Sequence, residues 1–243
     1  MITYDSKLQP GDVVALGDIH ATAELYFEFL DWVRDTGVTV VLLGDMIDRG
    51  KRDLEVLDST RTLLEYCEGW GLQAFYALMG NHERMFLDGL VCPQSYRLWL
   101  ENGGNAQQAD AMEREHRDWI RDLPLYMTIG DTLFIHGGIF PGHNPAEALP
   151  EKAESFLWMR DPFLKFGPQF EKWNPRLKRV VHGHTPTFFE RDEEGFDEER
   201  GVCIPVVKKD RVNIDTGACF RKEGCLTAYN VTQNTFRQFL RTE

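Results

Sequence analysis

The sequence predicts an α/β fold that begins with three parallel strands and finishes with antiparallel ones. Two observations carry this reading. Near the amino terminus short apolar runs alternate with helical patterns, and each run ends in Gly-Asp or Gly-Asn. Strands that alternate with helices imply a parallel sheet, and functional residues of such sheets gather beyond the strands' carboxyl ends. Near the carboxyl terminus, Arg211–Ile214, Leu226–Val231 and Thr235–Leu240 are short β-prone runs, read as antiparallel closing strands.

The elements follow in order. Val13–Leu16 is an apolar run and reads as a buried strand. Ala23–Arg34 places Leu25, Phe29, Leu30 and Val33 on one helical face. Val38–Leu43 is rich in β-branched residues and reads as the second strand. A second helical pattern runs from Arg52 to Glu68, and Leu72–Leu78 is the third strand. His82 to Leu123 reads as mostly helical, broken by Glu101-Asn102-Gly103-Gly104-Asn105. Leu125–Ile129 and Thr132–Ile135 form a hairpin around Gly130-Asp131. Pro141 to Pro175 holds six prolines and a helical piece at Ala153–Trp158; it reads as a lid. Arg179–Val181 is a strand, and the acidic Glu190–Arg200 reads as a solvated loop or hairpin tip. The whole chain, residues 1–243, is expected to form one domain.

Composition narrows the function classes. A net charge of −12 argues against a grip on a nucleic-acid duplex, which needs clustered Lys and Arg. No stretch reaches the ~20 apolar residues of a membrane span. The five cysteines, Cys67, Cys92, Cys203, Cys219 and Cys225, are odd in number and lack CxxC spacing. They read as reduced thiols, so the expected location is the cytoplasm.

Chemistry concentrates at the strand ends. Gly17-Asp18-Ile19-His20, Gly44-Asp45-Met46-Ile47-Asp48-Arg49-Gly50 and Gly80-Asn81-His82-Glu83 each follow a predicted strand. His136-Gly137-Gly138 and His182-Gly183-His184-Thr185 come later. A lone Gly-Asp pair is usually a turn, and a lone buried histidine is usually a core residue. Five such segments in order are hard to assign to chance. Asp18 and His20 are two apart, so in an extended segment they share a side and reach one ion. Asp45 can bridge two ions, and Asn81, His136 and His184 can complete the second. Carboxylate, imidazole and amide oxygen together suit Mn²⁺, Fe or Zn²⁺ better than Mg²⁺.

This ordered set resembles the metallophosphoesterase superfamily. The Asp48-Arg49-Gly50 and Gly80-Asn81-His82-Glu83 forms resemble its phosphoprotein phosphatase branch. Trp99-Leu100-Glu101-Asn102-Gly103-Gly104 and Asn213-Ile214-Asp215-Thr216-Gly217 look most like its small bacterial and phage members. Those include the lambda-phage-type serine/threonine phosphatases and the symmetrical bis(5′-nucleosyl)-tetraphosphatases. The resemblance implies a calcineurin-like four-layered α/β/β/α sandwich. It implies that Asp18, His20, Asp45, Asn81, His136 and His184 hold two divalent ions. It implies that Arg49 and Arg160 grip phosphate and that Asp48 orients His82 as general acid.

The expected reaction is in-line attack of a hydroxide held between two metal ions, most readily Mn²⁺. The leading reading is a serine/threonine-type protein phosphatase or phosphomonoesterase, acting on a phosphoprotein or phosphorylated small molecule. A dinucleoside tetraphosphate is the alternative, and a catalytically silent metal-binding module is a third reading. His182 and His143 are left outside the ligand set. Two positions depart from the pattern: Ala21 stands where many relatives have Gly, and Met79 where lambda-type enzymes carry Arg.

Overall fold

The computed structural model describes residues 2–4, 7–149, 153–189, 195–220 and 223–241. Its first half follows the alternation of the sequence. Strand β1 (Val13–Leu16) leads to α1 (Ala23–Val33), β2 (Thr39–Leu42), α2 (Asp53–Tyr66) and β3 (Ala74–Ala77). The three strands pair in parallel, Val14 opposite Val40 and Val40 opposite Phe75. Helix α1 buries Leu25, Tyr26, Phe29, Leu30 and Val33, the stripe its spacing sets, against this sheet. Four helices follow: α3 (Asn81–Gly89), α4 (Pro93–Glu101), α5 (Ala106–Ala111) and α6 (Arg114–Arg121). The break after Glu101 falls where the Asn-Gly-Gly-Asn run predicts it.

A second sheet starts with the hairpin of β4 (Tyr126–Ile129) and β5 (Thr132–Ile135), closed by a two-residue Gly130-Asp131 turn. Next come β6 (Arg179–His182), a small separate hairpin of β7 (Phe196–Asp197) and β8 (Val202–Cys203), then β9 (Val206–Val207) and β10 (Arg211–Asn213). Strands β11 (Leu226–Asn230) and β12 (Thr235–Phe239) return to the first sheet. The strand orders are β12-β11-β1-β2-β3 and β4-β5-β6-β10-β9.

Two expectations need correction. Strands β11 and β12 close the first sheet antiparallel, as predicted. Strand β10 belongs instead to the second sheet and runs parallel to β6, with only β9 antiparallel to it. The long crossover between β6 and β10 gives the chain room to return in the same direction. The proline-rich segment is not a lid. Phe156, Met159, Phe163 and Phe170 are buried and pack on Leu133, Ile135 and Val180 of the second sheet. Within the helical piece read at Ala153–Trp158, Ala153 is α-helical and Glu154–Leu157 is a 3₁₀ stretch. Of the acidic run, Glu190–Glu194 lies outside the described residues; Phe196–Asp197 forms half of the β7–β8 hairpin.

The layers are therefore helices, sheet, sheet, and a cover of short helical turns. A middle apolar layer joins the sheets through Ala15, Val41 and Leu78 on one side and Phe134, Val181 and Val212 on the other. Among the described residues no helix is long and apolar enough to cross a membrane. The five cysteines are unbridged.

Candidate active site

The loops after β1, β2, β3, β5 and β6 converge at one edge of the sandwich. Glycine makes the approach possible. Gly44 has φ +100°, and a Cβ there would lie 2.5 Å from the Gly80 nitrogen. A Cβ on Gly80 would lie 2.1 Å from Asp45 Oδ1. The β2 and β3 loops thus touch backbone to backbone. His20, Ala21, Asp45, Asp48, Arg49 and His184 also hold positive φ although none is glycine. Such strain in an L-residue costs roughly 1–2 kcal/mol and clusters at functional sites. Ala21, at φ +51°, adopts the conformation a glycine would enter freely.

Asp45 is the hub. Its Oδ2 lies 3.6 Å from His20 Nε2, and its Oδ1 lies 3.4 Å from His136 Nε2. The His82 amide donates to the same Oδ1 at 3.0 Å. Two groups of ligand atoms, each within 4.8 Å of one another, share this carboxylate: His20, Asp45 and His82, and Asp45, His136 and His184. Asn81 Oδ1 joins the second group, 2.9 Å from His136 Nε2 and 2.8 Å from His184 Nδ1. Two of the imidazoles are aimed from behind. His20 Nδ1 donates to the Ile47 carbonyl at 3.0 Å, and His136 Nδ1 to the Leu43 carbonyl at 3.0 Å. Each then turns Nε2 inward, as carbonyl-oriented metal-ligating histidines do. Asp18 stands beside these groups, accepting the His184 amide at 3.1 and 3.2 Å.

Electrostatics favour cations here. Burial pushes the Asp18 carboxyl well above its ordinary range, and the nearby Asp215 adds to the shift. Burial also raises Asp215, to about 6. Burial works against charge on Asp45 too, yet the surrounding imidazoles, His136 foremost, hold it well below the usual range. His184 Nε2 and His82 Nε2 are buried without a hydrogen-bond partner among the described residues. Converging lone pairs, buried carboxylates and the unpartnered His184 nitrogen fit a pair of divalent ions, and the unpartnered His82 nitrogen faces the same space.

A second constellation adjoins this one. His82 Nδ1 lies 2.7 Å from Asp48 Oδ2, both side chains buried. The Trp99 indole donates to Asp48 Oδ1 and Oδ2 at 3.0 and 2.9 Å. The Asp48 amide donates to Asp53 Oδ1 at 2.6 Å. Arg49 is exposed and donates from Nη1 to His20 Nε2 at 2.7 Å. Arg160 is exposed, donates to Thr185 Oγ1 at 3.3 Å, and its charge helps lower the His184 pKa, mainly depressed by burial, to about 2.

All the motif residues meet here except two. His182 is buried edge-to-face on Phe163, with burial holding its pKa down to about 3. His143 is exposed; its Nδ1 donates to the Pro141 carbonyl at 3.0 Å, its amide donates to the Phe140 carbonyl, and its ring meets Phe140 edge-on, away from the cluster motifs. Met79 is buried, so this position presents no charge to the site. Three residues emerge that the motif reading left without a role. Glu83 accepts amides of Asp45, Met46, Ile47 and Gly80 at 2.7–3.3 Å, which sets the β2 loop. Its position three residues after the Gly80 cap is the available signal, since a carboxylate there reaches back to the cap amide. Trp99 and Asp53 carry no such local signal.

The model of the calcineurin-like phosphoesterase domain matches residues 11–214. The chain belongs to the calcineurin-like phosphoesterase family. A symmetrical bis(5′-nucleosyl)-tetraphosphatase from Aromatoleum aromaticum is 29% identical over 153 residues, covering 60% of this phosphoesterase chain and 51% of that protein. One from Coxiella burnetii is 25% identical over 202 residues, covering 80% and 61%. The chain thus spans about half to three-fifths of the length of these relatives. A cold-active protein-tyrosine phosphatase from a psychrophilic Shewanella shares the fold, with TM-score 0.61, 19% identity and coverage of 98% and 83%. The shared Asp45 between two His/Asp groups fits the two-metal chemistry of this family.

Proposed function

We propose that this phosphoesterase hydrolyses a dinucleoside tetraphosphate symmetrically, releasing two nucleoside diphosphates. The observation that carries phosphoryl-transfer chemistry is Asp45, shared by two ligand groups beside the His82–Asp48 pair. The substrate class is supported by the names of the curated relatives. Asp18, His20, Asp45, Asn81, His136 and His184 would hold the ions, and the mixed donor set favours Mn²⁺, with Fe or Zn²⁺ as substitutes. Two divalent ions there supply the charge that acidifies water and offsets the equatorial phosphoryl oxygens.

The chain's own residues do the rest. Arg49 and Arg160 orient the phosphoryl group through charge-assisted hydrogen bonds. Asp48, fixed by Trp99 and the Asp53 carboxylate, holds His82 by Nδ1 and leaves Nε2 to face the leaving oxygen. Water adds to phosphorus, the bridging P–O bond breaks, and His82 supplies the proton where the leaving oxygen needs one.

That proton donor favours a second reading, a serine/threonine-type phosphomonoesterase. A serine alkoxide is a poor leaving group and needs the proton, whereas a nucleoside diphosphate needs it less. One experiment separates the two. With Mn²⁺, diadenosine tetraphosphate should yield adenosine diphosphate faster than a phosphoserine peptide yields phosphate. The reverse order selects the phosphomonoesterase. Full activity after exhaustive chelation, with no metal bound, defeats both.

A further inference from the structure

A cavity of about 420 Å³ opens beside Arg49, between the start of α1 and the loop into α2. Its charged lining comprises Arg49, Lys51, Arg52 and Arg241 against Glu24 and Glu28, which is four positive minus two negative, or +2. The chain as a whole carries −12. A net positive cavity in so acidic a protein is a local departure that attracts anions.

The cations are not equivalent. Arg52 is engaged, donating to Glu24 Oε1 at 2.8 Å and gripping Glu55 with its other face. Lys51 is exposed and forms no ion pair among the described residues. Arg241 is exposed and donates to the Ala218 carbonyl at 3.0 Å; Glu24 feels its charge, but no carboxylate pairs with it directly among the described residues. Arg49 links this cavity to the ligand cluster, because its guanidinium lies 2.7 Å from His20 Nε2. Lys51 and Arg241 line the same cavity as Arg49, so an anion chain that runs past Arg49 from a phosphorus at the cluster enters the space they share. A serine phosphomonoester has no second phosphate to place there.

We infer that this cavity seats the phosphate chain beyond the attacked phosphorus, with Lys51 and Arg241 as its specificity-determining cations for nucleoside polyphosphates. The inference rests on the dinucleoside reading above and names where that substrate's adjoining phosphates are held. The test uses the full chain and titration calorimetry with adenosine diphosphate and, separately, inorganic phosphate. Adenosine diphosphate should bind the parent about tenfold more tightly than inorganic phosphate, as expected of added charge-assisted contacts at an exposed site. Lys51→Ala and Arg241→Ala should each weaken adenosine diphosphate about threefold and the double variant about tenfold, since separate contacts add. Phosphate binding, and kcat/KM for p-nitrophenyl phosphate, should stay within twofold.

Unchanged adenosine diphosphate binding in the double variant overturns the assignment. So does an equal loss for both anions, which would mean a diffuse field. So does a loss confined to acidic phosphopeptides. If diadenosine tetraphosphate is not hydrolysed yet the variants selectively lose adenosine diphosphate, the cavity stands and the functional reading falls. If it is hydrolysed with the parent's KM in the double variant, the reading stands and the cavity falls.

Discussion

The two sheets deliver their side chains to the same cluster in the same way, yet they are covered in opposite ways. The first sends Asp18 and His20, Asp45, and Asn81 with His82 from the ends of β1, β2 and β3, which are adjacent and parallel. The second sends His136 and His184 from the ends of β5 and β6, also adjacent and parallel. Outside them the first sheet is packed by regular amphipathic helices, whereas the second is packed by proline-rich short turns. The lesson is that ligand placement depends on parallel strand ends. The covering layer needs only enough apolar side chains to exclude water, whatever backbone carries them.

The halves are unequal in chemistry, because the carboxylate common to both ligand groups comes from the first sheet. The largest expected effect is therefore Asp45→Asn, which should remove both ions and nearly all activity. His184→Asn should remove about one. Metal content by plasma mass spectrometry decides this; equal stoichiometry in the two variants would erase the asymmetry.

The next effect belongs to the first sheet alone. His82→Asn should slow hydrolysis of a phosphoserine peptide by ~10²–10⁴-fold, the usual worth of a general acid. The loss on p-nitrophenyl phosphate should be visibly smaller, since its leaving group needs little protonation. Equal losses with metals retained would assign His82 to binding.

Stability tests the covers. Phe163, fully buried in the irregular layer, and Phe29, fully buried on the inner face of α1, should each cost about 3–5 kcal/mol on truncation to Ala. Urea midpoints measure both. A cost under about 1 kcal/mol for Phe163→Ala would restore the reading of this segment as a loosely held lid.

The smallest effect refines the first half further. Trp99→Phe keeps an aromatic ring but removes the N–H that Asp48 accepts. A hydrogen bond to a charged group is worth about 1.5–3 kcal/mol, so kcat on the phosphoserine peptide should fall about tenfold or more. KM and metal content should hold. A matching loss of folding stability with unchanged kcat would make Trp99 merely a packing residue.

By itself the sequence determined the parallel opening, the helical stripes and the residues that meet at the cluster. These are legible because strand and helix periods and the glycines before each ligand are local properties of the chain. Ala21 and Gly44 show how local: their positive φ belongs to the turn each one makes. Tertiary structure alone decided three things. It sent β10 to lie parallel beside β6, a choice between sheets that no local pattern encodes. It made the proline-rich segment a core layer, because Phe156 and Phe163 are apolar whether they face solvent or a sheet until a sheet is there. And it brought the Trp99 indole to Asp48 across 51 positions of chain and Glu83 to the β2 loop across 36–38. Contacts so distant arise from packing of whole elements, and a side chain's hydrogen-bond partner is fixed only after that packing is complete.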